Sequence, residues 1–318
     1  MTTKRSATER IRCGVKAAVE RILVASGAAA VARRRLRNGA FIVAYHNVIP
    51  DGAAPPADVS LHVTRTRFAA QLDVLMETHD VMRLDAALAV PDRRVHRGRP
   101  VAAITFDDAY RGALTLGMEE VRARGLEATT FVAPAFVGDK AFWWDQVDWP
   151  ADSDEGDRFR ARALTECGGR DLAVRELALR LGYDTVDVPS YARCVTDSEL
   201  HDAAAKGGLS LGAHTWSHAN LAMLDPDSVS IELARPLAWL RERFTAVVPW
   251  LAYPYGLWSP GVVAAARAAG YSLALRVDGG WIRERSGPVD PFTLPRFNVP
   301  AGLSPNGFML RASGMFCQ

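Results

Sequence analysis

The sequence contains no long hydrophobic run, and no segment reaches the ~18–20 apolar residues that a membrane-spanning helix requires. The nearest stretch, Ile22 to Ala32, is short and is interrupted by Ser26 and Gly27. It follows a basic region and contains small residues, so a signal peptide stays open as a reading. Cysteine is scarce. Cys13, Cys167, Cys194 and Cys317 have neither metal-ligand nor redox-motif spacing, which points to unpaired thiols in a reducing compartment. Strong net charge is absent too: the whole chain carries +2. That small value hides an asymmetry. Residues 1–40 hold ten Lys/Arg against two acids, a net +8, which leaves the remaining 278 residues at −6. The basic character therefore belongs to the N-terminal arm, and no nucleic-acid partner is expected.

What is present is ordinary for a globular chain, with 49% hydrophobic and 23% charged residues over 318 positions. That length accommodates one large α/β barrel-type domain or two smaller ones, with a sizeable core. In the arm, Ile11, Val15, Ala18, Val19, Ile22 and Leu23 recur at spacings of three and four, with Arg10, Arg12, Lys16 and Arg21 mainly between them. This predicts a basic amphipathic helix. It fits two places equally, an anionic membrane surface or the flank of its own domain. A cytoplasmic or peripheral-membrane location follows, with an extracytoplasmic one still open.

From residue 40 onward, short apolar runs alternate with helical patterns, as in a parallel α/β sheet. Strands are expected at 40–48, 81–84, 101–106, 128–133, 209–213, 247–252, 271–277 and within 292–299. Thr196 to Glu199 is a capping box, and Asp225-Pro226 starts another helix. Residues 138–196 break the rhythm with dense aromatics (Phe142, Trp143, Trp144, Trp149) and an acidic run (Asp152, Asp154, Glu155, Asp157) read as a solvated loop. One clear helix, Leu172 to Leu181, follows. The segment reads as an insertion, giving an arm at 1–39 and a single domain at 40–318.

Polar residues recur just after the strands. His46, Asp107-Asp108, His214, Tyr255 and Asp278 all lie there, where barrels of this kind build active sites. Asp107-Asp108 ends a buried strand, so its charges need compensation by a metal or an arginine; a helix cap is the plainer alternative. His214 and His218 are four apart, a spacing used for divalent metals; were the stretch helical, both would share one face. With a strand-end carboxylate they make a His/His/Asp set that leaves a position open for water or substrate. One aspartate then holds the metal and the other takes a proton. The donor set suits Zn2+, and also Co2+, Ni2+ or Fe2+.

Thr105-Phe106-Asp107-Asp108, His214-Thr215-x-x-His218 and Tyr253-Pro254-Tyr255-Gly256, in this order, resemble the NodB-type polysaccharide deacetylases, carbohydrate esterase family four. The resemblance covers roughly residues 40–300. It implies a distorted (β/α)7 barrel and metal-dependent removal of acetyl from an N-acetylated sugar. It casts Asp107 as general base, Asp108, His214 and His218 as metal ligands, and the Tyr255 N–H as oxyanion donor. Trp281 and Leu294 would line the acetyl pocket. Two usual residues are lacking: Ala252 stands where many members carry an arginine, and Leu294-Pro295-Arg296 stands where a late histidine supplies the acid. Tyr45-His46 instead resembles the exopolysaccharide, poly-N-acetylglucosamine deacetylase branch, whose acid is an early histidine. His46 is thus the expected acid, and Arg296 the residue that orients Asp107.

Trp143, Trp144 and Asp145 are candidates for a sugar-stacking wall, and Trp216 is equally a structural or a substrate-contacting residue. His62, His79, His96 and His201 are expected at the surface. Three functions follow: an N-deacetylase on an exopolysaccharide or its lipid-linked precursor, a deacylase or deformylase on a lipid-linked or small amino sugar, and a catalytically silent glycan-binding module.

Overall fold

The apolar runs become strands whose side chains alternate between two cores. In the computed structural model, which describes residues 7–89, 99–151, 153–283 and 290–316 (without side chains for 7–13 and Ala89), the strands are β1 (Ala40–Tyr45), β2 (Asn47–Ile49), β3 (His62–Thr64), β4 (Asp80–Val81), β5 (Val101–Phe106), β6 (Ala128–Val132), β7 (Leu209–Ala213), β8 (Val247–Ala252), β9 (Leu273–Leu275), β10 (Trp281–Ile282) and β11 (Phe297–Asn298). Cys317, His96 and Asp152 lie outside the described residues, as do the side chain of Cys13 and most of the 91–100 connection. The helices are α1 (Ala7–Ala25), α2 (Ala28–Arg34), α3 (Arg65–Thr78), α4 (Leu84–Ala89), α5 (Met118–Ala123), α6 (Trp143–Gln146), α7 (Asp154–Thr165), α8 (Asp171–Arg180), α9 (Asp197–Ala205), α10 (Pro226–Arg243), α11 (Pro260–Ala268) and α12 (Pro305–Ala312).

The main sheet runs β10-β1-β5-β6-β7-β8-β9, and β1 to β9 along this path are parallel. Residues 291–299 close it. Leu294 N–H bonds Ala274 O and Arg296 N–H bonds Arg276 O on the β9 side; Phe297 and Asn298 pair with Val43 and Ala44 of β1, and Val299 N–H bonds Ala44 O. The last stave thus spans the gap between β9 and β1. The result is the distorted (β/α)7 barrel that the sequence leads one to expect.

Alternation explains where the functional side chains point. Ala40 and Ile42, Val101 and Ala103, Phe131, Trp250 and Ala252, Leu273 and Leu275, and Leu294 share the inner core. Phe41, Val43 and Tyr45, Ala102, Ile104 and Phe106, and Leu209, Leu211 and Ala213 face the outer helices. Carrying the two-residue period past each strand end puts His46, Asp107, His214 and Arg296 on the inward side.

Local rules set most boundaries. Thr196 and Glu199 form the capping box of α9, and Asp225 caps α10 with Pro226 in its first turn. The acidic run is not a loop. Ser153 caps α7 and Asp154, Glu155 and Asp157 fill its first turn, where carboxylates suit the helix dipole. The 81–84 strand shrinks to Asp80–Val81, because α4 already begins at Leu84. His201 is exposed, but His62 and His79 are buried at 3% and 2% exposure, contrary to the surface placement expected of them. Each has a local partner, Asp145 and Thr78 respectively, that makes burial tolerable. Cys167 and Cys194 are buried free thiols. No described helix is long and apolar enough to cross a membrane.

Candidate active site

The strand tips converge on a cleft lined by His46, Asp107, Asp108, His214, His218 and Tyr255, among others. Asp107 is 1% exposed and receives a two-pronged hydrogen bond from Arg296: Nη1 to Oδ1 and Nη2 to Oδ2, both 2.7 Å. Arg296 is wholly buried. Its Nη1 also donates to Thr105 Oγ1 at 3.1 Å, its Nε donates to Arg276 O, and its guanidinium lies 5.3 Å from the Phe131 ring centre. Burial alone would raise the Asp107 pKa, but Arg296 and the nearby imidazoles outweigh it and hold the carboxyl well below its ordinary range. Asp108 has no such partner. Burial, together with the charges of Asp107 and Asp145, pushes it up to about 6.

Both oxygens of Asp108 are buried without a hydrogen bond. Its Oδ1 lies 3.5 Å from His214 Nε2 and 3.3 Å from His218 Nε2, and those two nitrogens are 3.1 Å apart. His214 Nδ1 sits 2.8 Å from Ala252 O; the N–H there leaves Nε2 as a bare lone pair. Two acceptors, the Asp108 carboxylate and His214 Nε2, thus converge with His218 Nε2, an arrangement a cation resolves. Tetrahedral ligands bonded at ~2.0–2.1 Å lie about 3.3 Å apart, so the residues fit a zinc-sized divalent ion. Among the described residues this trio is the one group of three or more His, Cys, Asp or Glu so arranged. Burial holds the pKa of both histidines low, that of His218 at about 4, and so favours the neutral, ligating form.

The histidines do not share a helix face. Residues 214–218 form a bend with left-handed Thr215 (φ 62°) and His218 (φ 57°). Glu232 on α10 holds the bend, its carboxylate accepting from the N–H groups of Trp216 and Ser217 and from Ser217 Oγ. Trp216 packs under the Arg235 guanidinium, 3.5 Å from its ring centre, and is absent from the cleft wall. Asp108 and Ala109 are also left-handed (φ 70° and 52°), as is Tyr255 (φ 59°). This strain gathers at the catalytic loops, as is common at functional sites.

His46 lines the cleft, and burial lowers its pKa against the opposing pull of Asp108 and Asp107. Trp143 and Trp144 also line it, whereas Asp145 is buried behind them, bonded to His62 and Tyr110. Two proposed pocket residues lie elsewhere. Trp281 pairs with Phe41 near the start of β1, the opposite end of the barrel from His46, because β10 runs antiparallel there; it packs on Phe41 and His79. Leu294 belongs to the inner core two residues before Arg296, a layer below the cleft. Asp278 is absent from the wall and pairs with Arg276. The wall includes residues that sequence reasoning passed over: Asp58, Leu61, Arg160, Val277 and Asn298. Inward parity after β9 and β11 marks Val277 and Asn298. Nothing local marks Asp58 or Arg160, which pair across the wall at 3.3 Å.

A search of curated proteins finds no match. Among solved structures, the chain is similar to the Streptococcus pyogenes deacetylase PplD in complex with acetate (TM-score 0.58, 17% identity, 86% of this chain and 97% of that one). It is similar to IcaB from Ammonifex degensii (0.56, 20%, 86% and 96%). It is similar also to a de-N-acetylase from Aggregatibacter actinomycetemcomitans (0.56, 12%, 83% and 96%). At such identities these likenesses establish the fold. A family model described as polysaccharide deacetylase matches residues 94–274, more than half of the chain and both the Asp107-Asp108 and His214–His218 motifs, so this chain belongs to the polysaccharide deacetylase family.

Proposed function

We propose that the chain is a metal-dependent N-deacetylase that removes acetyl groups from N-acetylated sugars of an exopolysaccharide or its lipid-linked precursor. The observation that carries this reading is the division of labour between adjacent carboxylates: Asp107 paired with Arg296, Asp108 without a hydrogen bond and facing the Nε2 atoms of His214 and His218. A divalent ion held by Asp108, His214 and His218 would acidify the attacking water and polarise the amide oxygen. Asp107, kept ionised by Arg296, accepts the proton of that water as its oxygen bonds to the acyl carbon. The Tyr255 peptide N–H donates to the oxygen that becomes negative. His46 delivers a proton to the nitrogen as the C–N bond breaks, releasing acetate and a free amine. Trp144, on the cleft wall, faces the sugar, and Trp143 packs behind it. The acetate complex of PplD supports a site of this kind on this fold.

We further propose that α1 rests on an anionic membrane. Glu20 faces the body, where it accepts from Ser304 Oγ at 2.5 Å, so the helix turns an acid inward. Val15, Val19 and Ile22 stay 58%, 48% and 65% exposed, alongside exposed Lys16 and Arg21. Exposed Arg34, Arg35 and Arg37 follow directly. An apolar strip flanked by cations suits anionic lipid, and it favours a peripheral-membrane location and a lipid-linked substrate.

Acetate release from N-acetylglucosamine oligomers tests the chemistry. Activity should vanish on chelation and return with Zn2+. His46→Ala should lose roughly 10²–10⁴-fold in kcat while still binding metal. Full activity in metal-loaded His46→Ala would remove His46 from the mechanism, and activity insensitive to chelation would remove the metal.

A further inference from the structure

Residues 138–196 look like an appendage on the barrel, but their contacts converge on the strained catalytic loop. Two backbone bonds and one thiol bond staple that loop: Val195 N–H to Ala109 O (3.1 Å), Arg111 N–H to Arg193 O (2.8 Å), and the Cys194 thiol to Asp108 O (3.4 Å). A side-chain chain holds the loop's other face. Tyr110 donates to Asp145 Oδ2 at 2.5 Å and accepts from Trp144 Nε1 at 2.8 Å. His62 Nε2 donates to Asp145 Oδ1 at 2.8 Å. Asn47, next to His46, donates through Nδ2 to His62 Nδ1 (3.1 Å) and to Tyr191 O (3.0 Å), which fixes the imidazole as the Nε2–H tautomer. Asp145, His62 and Tyr110 are essentially unexposed. The same segment reaches the third catalytic loop, where the Tyr255 hydroxyl accepts from Trp143 Nε1 and donates to Gly169 O, both at 3.3 Å. Gly169 (φ 65°) leaves room for that ring: a Cβ there would meet it at 2.7 Å.

We infer that the insertion is a clamp that holds the left-handed Asp108-Ala109 pair, and with it the metal ligand and the base, through the chain Asn47–His62–Asp145–Tyr110. The buried carboxylate of Asp145 is its key. Tyr110, Asp145 and His62 are positioning residues: among these, none lines the cleft. Asp108 and Ala109 sit in a sparsely populated backbone region that persists only where the surroundings over-determine it. The clamp supplies that determination from outside the barrel. The inference rests on the assignment of Asp107 and Asp108 above.

The test compares Tyr110→Phe and His62→Gln with wild type and with Tyr183→Phe, which removes a phenolic hydroxyl of the same insertion that donates to Glu155 at its surface. The readouts are Zn2+ and Co2+ affinity of the metal-free protein, kcat and KM separately, and the thermal midpoint. Tyr110→Phe should lose roughly 10–100-fold in metal affinity and kcat, the range for partners that orient a ligand, with KM changed less than about two-fold. His62→Gln should show the same pattern, smaller, and Tyr183→Phe none of it. Metal affinity and kcat within about two-fold of wild type in both folded variants, even with a lowered midpoint, would overturn the clamp. Should Tyr110→Phe fail to fold, His62→Gln decides. If wild type binds metal but releases no acetate, the functional proposal fails while metal affinity still tests the clamp.

Discussion

Asp107 is a buried carboxylate kept ionised mainly by Arg296, with the nearby imidazoles adding to it. Removing that partner in Arg296→Met leaves an unpaired buried charge, an expected loss of roughly 3–5 kcal/mol in urea unfolding. Without the guanidinium the Asp107 pKa rises, so the acidic limb of kcat/KM moves to higher pH; Arg296→Lys, which keeps charge but not the fork, falls between. An acidic limb unmoved in Arg296→Met would mean that Asp107 is not the base. His79 offers a separate pH test. Burial, helped by Arg33 and Arg99, lowers its folded pKa to about 3, against ~6.5 unfolded. The unfolded chain therefore binds the proton first. The stability contributed by neutral His79 is complete above about pH 6.5 and is lost as pH falls toward 3, so His79→Phe should flatten that part of the stability–pH curve. Asp107, Asp108, His214 and His218 were legible because motif order and strand ends coincide, and Arg296 because a missing histidine drew attention to its position. Trp281 was not, since nothing in the sequence says that β10 runs backwards along β1.

The strands locate the site through their two-residue period. Gly212 of β7 lies on the inward side beside Phe131, and a Cβ there would meet that ring at 2.7 Å and Trp250 O at 3.0 Å. Phe131 in turn underlies Arg296. Gly212→Ala should destabilise by roughly 1–3 kcal/mol through overpacking and should also lower kcat, because the displaced ring presses on the guanidinium that orients Asp107. A variant with wild-type melting and kcat would show that the layer yields more easily than its packing implies. Apolar runs and caps made the strands and α9 to α11 readable. The insertion was read as one helix because Trp143 to Gln146 gives a single turn. The acids of α7 look like a loop until Ser153 is recognised as their cap. The bend at 214–218 stayed hidden because Glu232, which holds it, lies fourteen residues beyond His218.

Across the whole molecule, α1 shows Val15, Val19 and Ile22 to the outside and turns Glu20 toward Ser304. The protein should therefore sediment with vesicles rich in phosphatidylglycerol and not with phosphatidylcholine alone. Release should follow as salt shortens the Debye length from ~10 Å at 0.1 M, and Val19→Asp with Ile22→Asp should abolish binding. Equal binding to both vesicle types, or to neither, would count against a lipid partner. The spacing of three and four was legible; the side that faces outward was not, because Glu20 turns inward only once Ser304 is in place. The closing stave carries a consequence for synthesis. A chain emerging from the ribosome presents His46, the two aspartates and the two histidines well before residue 296. Until the strip 291–299 docks between β9 and β1, Asp107 lacks its guanidinium partner and the barrel has no seam. Closure of the barrel and arming of its base are then one event, timed to the arrival of residues 291–299.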